Sequence, residues 1–193
     1  METADQKNFE LATEEYESIV AHCADADSSL ELSNRHIAHA AILTKHIVRR
    51  TENTLDIITG SMPELFFSKI KKQLETTLQK GVQVKIIFVN KIAPCEDLSL
   101  LAKHYPNQLK LFQIPDAIRP TVKEHIAHFC VSDKKRFRIE EIHGDKDFVK
   151  DPSIKAIANF NNPEIAKQLQ HTFEELVAMS TVSNASSGQC AAA

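Results

Sequence analysis

Glycine is scarce and tryptophan is absent: four glycines stand in 193 residues. None of them falls into G-x-G-x-x-G or G-x4-G-K-[ST], which excludes the glycine-rich phosphate cradles of dinucleotide-binding and P-loop enzymes. A G-x-S-x-G nucleophile elbow and an H-E-x-x-H zinc motif are also missing, so the common hydrolase signatures are excluded too. Cys23, Cys95, Cys130 and Cys190 are widely spaced, with no C-x-x-C pair. That spacing suits reduced thiols in a cytoplasm, not a disulfide framework or a zinc site. No apolar run reaches the ~18–20 residues of a membrane-spanning helix. The opening Met1-Glu2-Thr3-Ala4-Asp5 is acidic where a secretory leader is basic. The expectation is a cytoplasmic chain with no cofactor, no metal and no membrane contact. No internal repeat is present.

Charge is divided unevenly. Residues 1–32 carry nine acidic side chains against Lys7 alone, a net of −8, while the rest carries 22 basic against 17 acidic, a net of +5. The basic body falls short of a dedicated nucleic-acid binder. The simplest organisation is an acidic N-terminal helical extension over 1–32, one domain over 33–179, and a disordered Ser- and Ala-rich tail over 180–193.

Hydrophobic spacing locates the elements. Phe9, Ala12, Tyr16, Ile19 and Val20 recur at helical intervals and predict a helix over 4–23. A second helix is expected over 33–50, capped by Ser33 or Asn34. Leu55–Gly60 reads as a strand. Ser61-Met62-Pro63-Glu64 offers a capping box, and Phe67, Ile70, Leu74 and Leu78 form the buried stripe of the helix that follows. Gly81 ends that helix, and Val82–Val89 is a strand. Strand, helix and strand of these lengths make a βαβ unit with parallel strands. A helix to Tyr105, a strand over Leu109–Ile114 and a loop over Pro115–Pro120 come next. Glu124–Val131 and Arg136–Glu141 read as a hairpin around Ser132–Lys135. Ile154–Phe160 is a last strand. Asn162 caps a closing helix, with Pro163 at its first position and Ile165, Leu169, Phe173 and Leu176 on its buried face.

The stretch Ile126-Ala127-His128-Phe129-Cys130-Val131-Ser132-Asp133 resembles the His-x-Lys-x4-Asp signature of the phospholipase D superfamily with both catalytic letters replaced. Ile126 stands at the His position, His128 at the Lys position, and Asp133 in its expected place. The strand–Gly–Ser–helix run at Leu55–Gln79 resembles the family as well. So does Ala156-Ile157-Ala158-Asn159-Phe160-Asn161-Asn162-Pro163-Glu164-Ile165-Ala166, which is similar to the end of single-half bacterial members. The resemblance covers roughly 33–179 and implies an α/β fold: a phospholipase D-like mixed sheet flanked by helices, here with an extra N-terminal helix. In the family the His attacks phosphorus and the Lys holds phosphate charge. Ile126 can do neither, and Arg138-Ile139-Glu140-Glu141 replaces the Gly-Ser-x-Asn segment that often follows the signature.

The resemblance therefore implies a non-catalytic, homodimeric module that binds phosphate groups, nucleic acid or a protein partner. The phosphate contacts would be His128, Arg136 and Arg138, and His128 would hold anions more strongly in acid. The alternative is a residual phosphodiesterase or nuclease using His125 or His128, with Asp133, in a homodimer cleft. That alternative needs a bulge to turn His125 inward. A third reading has the acidic first helix engage a partner protein. Asp133 is expected to cap the hairpin turn. His36, His39 and His46 share one helix but lack a carboxylate or Cys at ligand spacing, so they read as ordinary surface or interface histidines.

Overall fold

The computed structural model describes residues 4–34, 36–91, 94–142 and 155–182. In chain order the elements are α1 (Ala4–Asp25), β1 (Leu32–Asn34), α2 (Ile37–Arg50), β2 (Thr54–Thr59), α3 (Glu64–Gln79), β3 (Gln83–Phe88), α4 (Glu96–His104), β4 (Leu109–Gln113), α5 (Arg119–His125), β5 (Phe129–Ser132), β6 (Arg136–Glu140), β7 (Ala156–Asn159), α6 (Pro163–Met179) and β8 (Thr181–Val182). The strands form one mixed sheet in the order β1-β7-β6-β5-β2-β3-β4-β8. β2, β3 and β4 are parallel, and every other pairing is antiparallel.

Two apolar cores lie on the two faces of this sheet. One joins Val20 of α1, Leu43 and Ile47 of α2, Phe67 and Leu74 of α3 and Leu98 of α4. The other joins Ile58, Ile87, Phe112 and Phe137 of the sheet to Val122 of α5 and to Ala166, Phe173 and Leu176 of α6. Strands covered on both faces read as continuous apolar runs, and Ile86-Ile87-Phe88 is one. The α3 stripe of Phe67, Ile70, Leu74 and Leu78 is buried as its spacing predicts. Each such side chain contributes roughly 1.5–3 kcal/mol of transfer free energy. Gly81 takes φ +86° and ends α3, a left-handed conformation that a Cβ disfavours. Asn162 caps α6, its Oδ1 accepting from Ile165 N at 3.2 Å.

Local chemistry misleads in several places. The capping box at Ser61 does not form. Pro63 occupies the cap position with no side-chain bond, and Ser61 instead gives its carbonyl to Thr59 Oγ1. Ser33 and Asn34 do not cap α2. They belong to β1, and His36 Nδ1 accepts from Ala38 N at 3.2 Å. A three-residue strand has too little periodicity to register in sequence, and pairing with β7 is what makes it one. Residues 32 and 33 both lie in β1, so the sheet ties the lead helix to the body. The stripe expected on α1 is rotated. Val20, Cys23 and Ala24 are buried, while Ile19 is 53% exposed; the side chain of Phe9 lies outside those described.

Pro120 starts a helix where a loop was expected. Proline lacks the N–H that a first turn leaves unused. That helix takes Glu124 and His125, and Ile126 closes it through N–H to Val122 O at 2.9 Å. The first hairpin strand is therefore only Phe129–Ser132. β7 begins at Ala156; residue 154 lies outside the described residues. Thr181 and Val182, assigned by composition to the unstructured tail, form β8 against Phe112 and Gln113 of β4. Residues 183–193 lie outside the described part.

Candidate functional site

The β5–β6 hairpin register builds the site. Cys130 lies opposite Arg138. One step further along the pair, Glu140 N donates to His128 O at 2.9 Å, so His128 faces Glu140. Alternation along a strand puts Arg138 and Glu140 on one face, beside His128 and Cys130. Together they line a cavity of about 60 Å³ with Thr44, Thr59, Met62, Phe66 and Phe129, room for about four waters.

Within it, Arg138 Nη1 donates to Glu140 Oε1 at 2.8 Å, and Glu140 Oε2 lies 3.4 Å from His128 Nδ1. Arg138 Nε donates to Asn34 Oδ1 on β1 at 3.1 Å. Arg138 is almost wholly buried, and Glu140 and His128 keep only 12% and 17% of their side-chain surface exposed. A Cβ on Gly60, just after β2, would meet His128 Cε1 at 2.9 Å and Asn90 Nδ2 at 3.1 Å, so glycine there is what lets the imidazole approach the sheet. Burial pushes the Cys130 thiol up to about 11, which leaves it without thiolate character near neutrality.

The other predicted residues are dispersed. Ile126 does not share the face of His128. It packs on the α5–α6 core, because strand alternation starts only after the turn that leaves α5. His125 is the last residue of α5; its side chain is 64% exposed and lies 3.8 Å from Glu124. Arg136 is turned away to the turn that follows α1, with Nη2 2.9 Å from Asp27 Oδ1 and Nη1 3.1 Å from Asp133 Oδ2. Asp133, at φ +52°, clamps the start of β2. Its Oδ2 accepts from Glu52 N at 2.9 Å and its Oδ1 from Asn53 N at 2.8 Å and Thr54 N at 3.0 Å.

The three α2 histidines do not converge on one ligand. His36 caps the helix, His39 stacks on Tyr16 at 4.0 Å, and His46 is buried against α1. Burial holds both His39 and His46 below the ordinary imidazole range, and it raises Tyr16 to about 12. Among the described residues no three His, Cys, Asp or Glu side chains cluster as metal ligands, and no helix is long and apolar enough to cross a membrane.

Gly60 and Asn34 are the site residues that were not predicted, while Glu140 was expected only as a plug of the cleft. Glu140 had a signal, since it lies two residues beyond Arg138 on one strand. Asn34 had none, being 104 positions from its partner.

No protein-family model matches the sequence, and no curated protein matches it. Solved structures do. Nuc of Salmonella typhimurium, a phospholipase D family member, superposes with a TM-score of 0.60 at 14% identity, over 79% of this chain and 97% of that one. NucT from Helicobacter pylori gives 0.58 at 10% identity, over 79% and 98%. TrmBL2, an archaeal chromatin protein whose structure shows a mode of DNA binding, gives 0.59 at 11% identity, over 91% of this chain and 64% of that one. The chain has the phospholipase D-like fold, a mixed α/β sheet between helical layers.

Proposed function

We infer that this chain is a non-catalytic binding module on a phospholipase D-like fold, acting in the cytoplasm and engaging a partner through the end of the sheet that carries the cavity. The observation behind this reading is Glu140. Its carboxylate takes the Arg138 guanidinium at 2.8 Å and stands at ion-pair distance from His128. Among the described residues lining the pocket the Arg138 charge is therefore already matched by Glu140, and a phosphodiester would have to displace a resident anion. Ile126, at the position of the nucleophile, can neither attack phosphorus nor donate a proton. Arg136 is committed to Asp27 and Asp133. Pairing of two copies belongs to the same reading. Sedimentation equilibrium should give twice the 21.7 kDa of one chain, and a monomer at micromolar concentration removes that part.

A second reading draws on one contact. With Nδ1 directed at a carboxylate, His128 has the orientation that general bases and nucleophiles use, which supports residual phosphodiesterase chemistry at this residue. One experiment separates the two. Purified protein is incubated with single- and double-stranded DNA, RNA and a chromogenic bis-ester, with and without divalent metal. No turnover is expected. Cleavage that disappears in His128→Ala overturns the non-catalytic reading.

A further inference from the structure

Glu140 sits in the pocket as a ligand would. Its two oxygens bridge a guanidinium and an imidazole, at 2.8 Å from Arg138 Nη1 and 3.4 Å from His128 Nδ1. Arg138 is fixed from behind by Asn34, whose Oδ1 accepts from Nε at 3.1 Å. Asn34 is 2% exposed, and its Nδ2 has no hydrogen-bond partner among the described residues. A buried donor is thus left over against the same guanidinium, and buried donors are ordinarily satisfied. Met62, Phe66 and Phe129 make the other walls apolar. A planar, singly charged, two-oxygen anion fits this frame, and guanidinium groups match carboxylates in geometry.

We propose that the pocket is a carboxylate-binding site occupied by the chain's own Glu140, which gives way to a carboxylate group presented by a partner protein. This rests on the reading of the pocket as non-catalytic. Two features make exchange feasible. Glu140 is the last residue of β6, so its side chain can turn out of the pocket while its N–H stays on His128 O. One carboxylate replaces another, so the buried Arg138 keeps a counter-ion throughout. An unpaired buried charge is strongly destabilising, which makes simple loss of Glu140 the harder route. A phosphate dianion would bring a second negative charge to a pocket whose one permanent cation, among the described residues, is Arg138.

The test is chemical rescue of the full chain carrying Glu140→Ala. This truncation removes the resident carboxylate and leaves space of about its size. Acetate, propionate and inorganic phosphate are titrated while the unfolding midpoint and the 15N signals of the His128 ring are followed. The variant should melt below the natural chain. Acetate should raise its midpoint and move the His128 signals saturably, about tenfold more tightly than phosphate, while the natural chain shows neither response. Removing Asn34 as well (Asn34→Ala) should weaken the acetate response, because it frees Arg138 to turn.

Should Glu140→Ala fail to fold in plain buffer, acetate is included during refolding and recovery of folded protein is expected. Absence of any acetate response beyond that of the natural chain, absence of recovery on refolding, or rescue by phosphate ahead of acetate overturns the proposal. Phosphodiester cleavage by the natural chain would sink the underlying reading. Absence of both cleavage and rescue would sink the carboxylate proposal alone. Acetylated glycine and acetylated glutamate α-amide then distinguish a partner's chain terminus from an acidic side chain.

Discussion

Replacing Asp133 with Ala should unfold the molecule at a markedly lower temperature while leaving the cavity residues chemically intact. The carboxylate accepts three backbone N–H groups, from Glu52, Asn53 and Thr54 at 2.8–3.0 Å, and an Arg136 Nη1 at 3.1 Å. Arg136 is 3% exposed and Asp133 12%, so removal leaves donors at the β2 start without their acceptor and Arg136 with Asp27 alone. Hydrogen bonds to a charged group are worth ~1.5–3 kcal/mol each, but these share one acceptor and relax together, so they do not add. Breaking a buried ion pair from one side costs about 3–5 kcal/mol, and loss of the whole clamp should cost as much.

The residue also sits at φ +52°, where Ala adds about 1 kcal/mol of strain. For a chain of this size each kcal/mol shifts the midpoint by about 2–4 °C, so a drop of about 15 °C is expected. Asp133→Gly relieves the backbone strain but not the lost bonds, and Asp133→Asn keeps an acceptor without the charge. The expected order of stability is natural chain, Asn, Gly, Ala, measured by urea unfolding and calorimetry. A loss below about 1 kcal/mol in Asp133→Ala would refute the clamp, because the donors would then be satisfied equally well by water.

Asp56 is buried in the central strand, with Gln170 Nε2 3.1 Å from its Oδ2, and burial lifts its carboxyl from 3.8 to about 6. The raised folded value means its contribution is fully present below about pH 4 and is lost as pH rises through about 6. The ionised form therefore weakens the fold above that window by about 3 kcal/mol at most. Asp56→Asn keeps an acceptor for Gln170 and should be the more stable protein at pH 8 while matching the natural chain near pH 4; lower stability at pH 8 would contradict this. Gly60→Ala places a Cβ 2.9 Å from His128 Cε1. It should cost about 1–3 kcal/mol by overpacking and shift the His128 ring signals, whereas unchanged signals would show that Gly60 does not set the approach of the imidazole.

Much of the fold was legible because its signals are local. The βαβ run from Leu55 to Val89, Gly81 as a helix stop, Asn162-Pro163 as a helix start and the turn after Ser132 each depend on a few neighbouring residues whose conformational limits travel with them. The errors share a cause as well. Glu124–Ile126 alternate like a strand, but tertiary context favours helix behind Pro120, and a shift of that kind turns every side chain to the other face. That is how Ile126 and His128, two apart in sequence, come to face different cores.

By itself the sequence determined the fold class and the phospholipase D-like order of elements, because composition, periodicity and motif spacing are properties of short stretches. Tertiary structure alone decided which polar groups meet. Asn34 reaches Arg138 across 104 residues only because β1 pairs with β7. Asp27 holds Arg136 only because the lead helix folds back onto the body. Glu140 faces His128 only because the hairpin closes in one register. Long-range pairing brings together residues that no local spacing connects, and here it placed a carboxylate beside two of the side chains, Arg138 and His128, that the sequence alone had offered to phosphate.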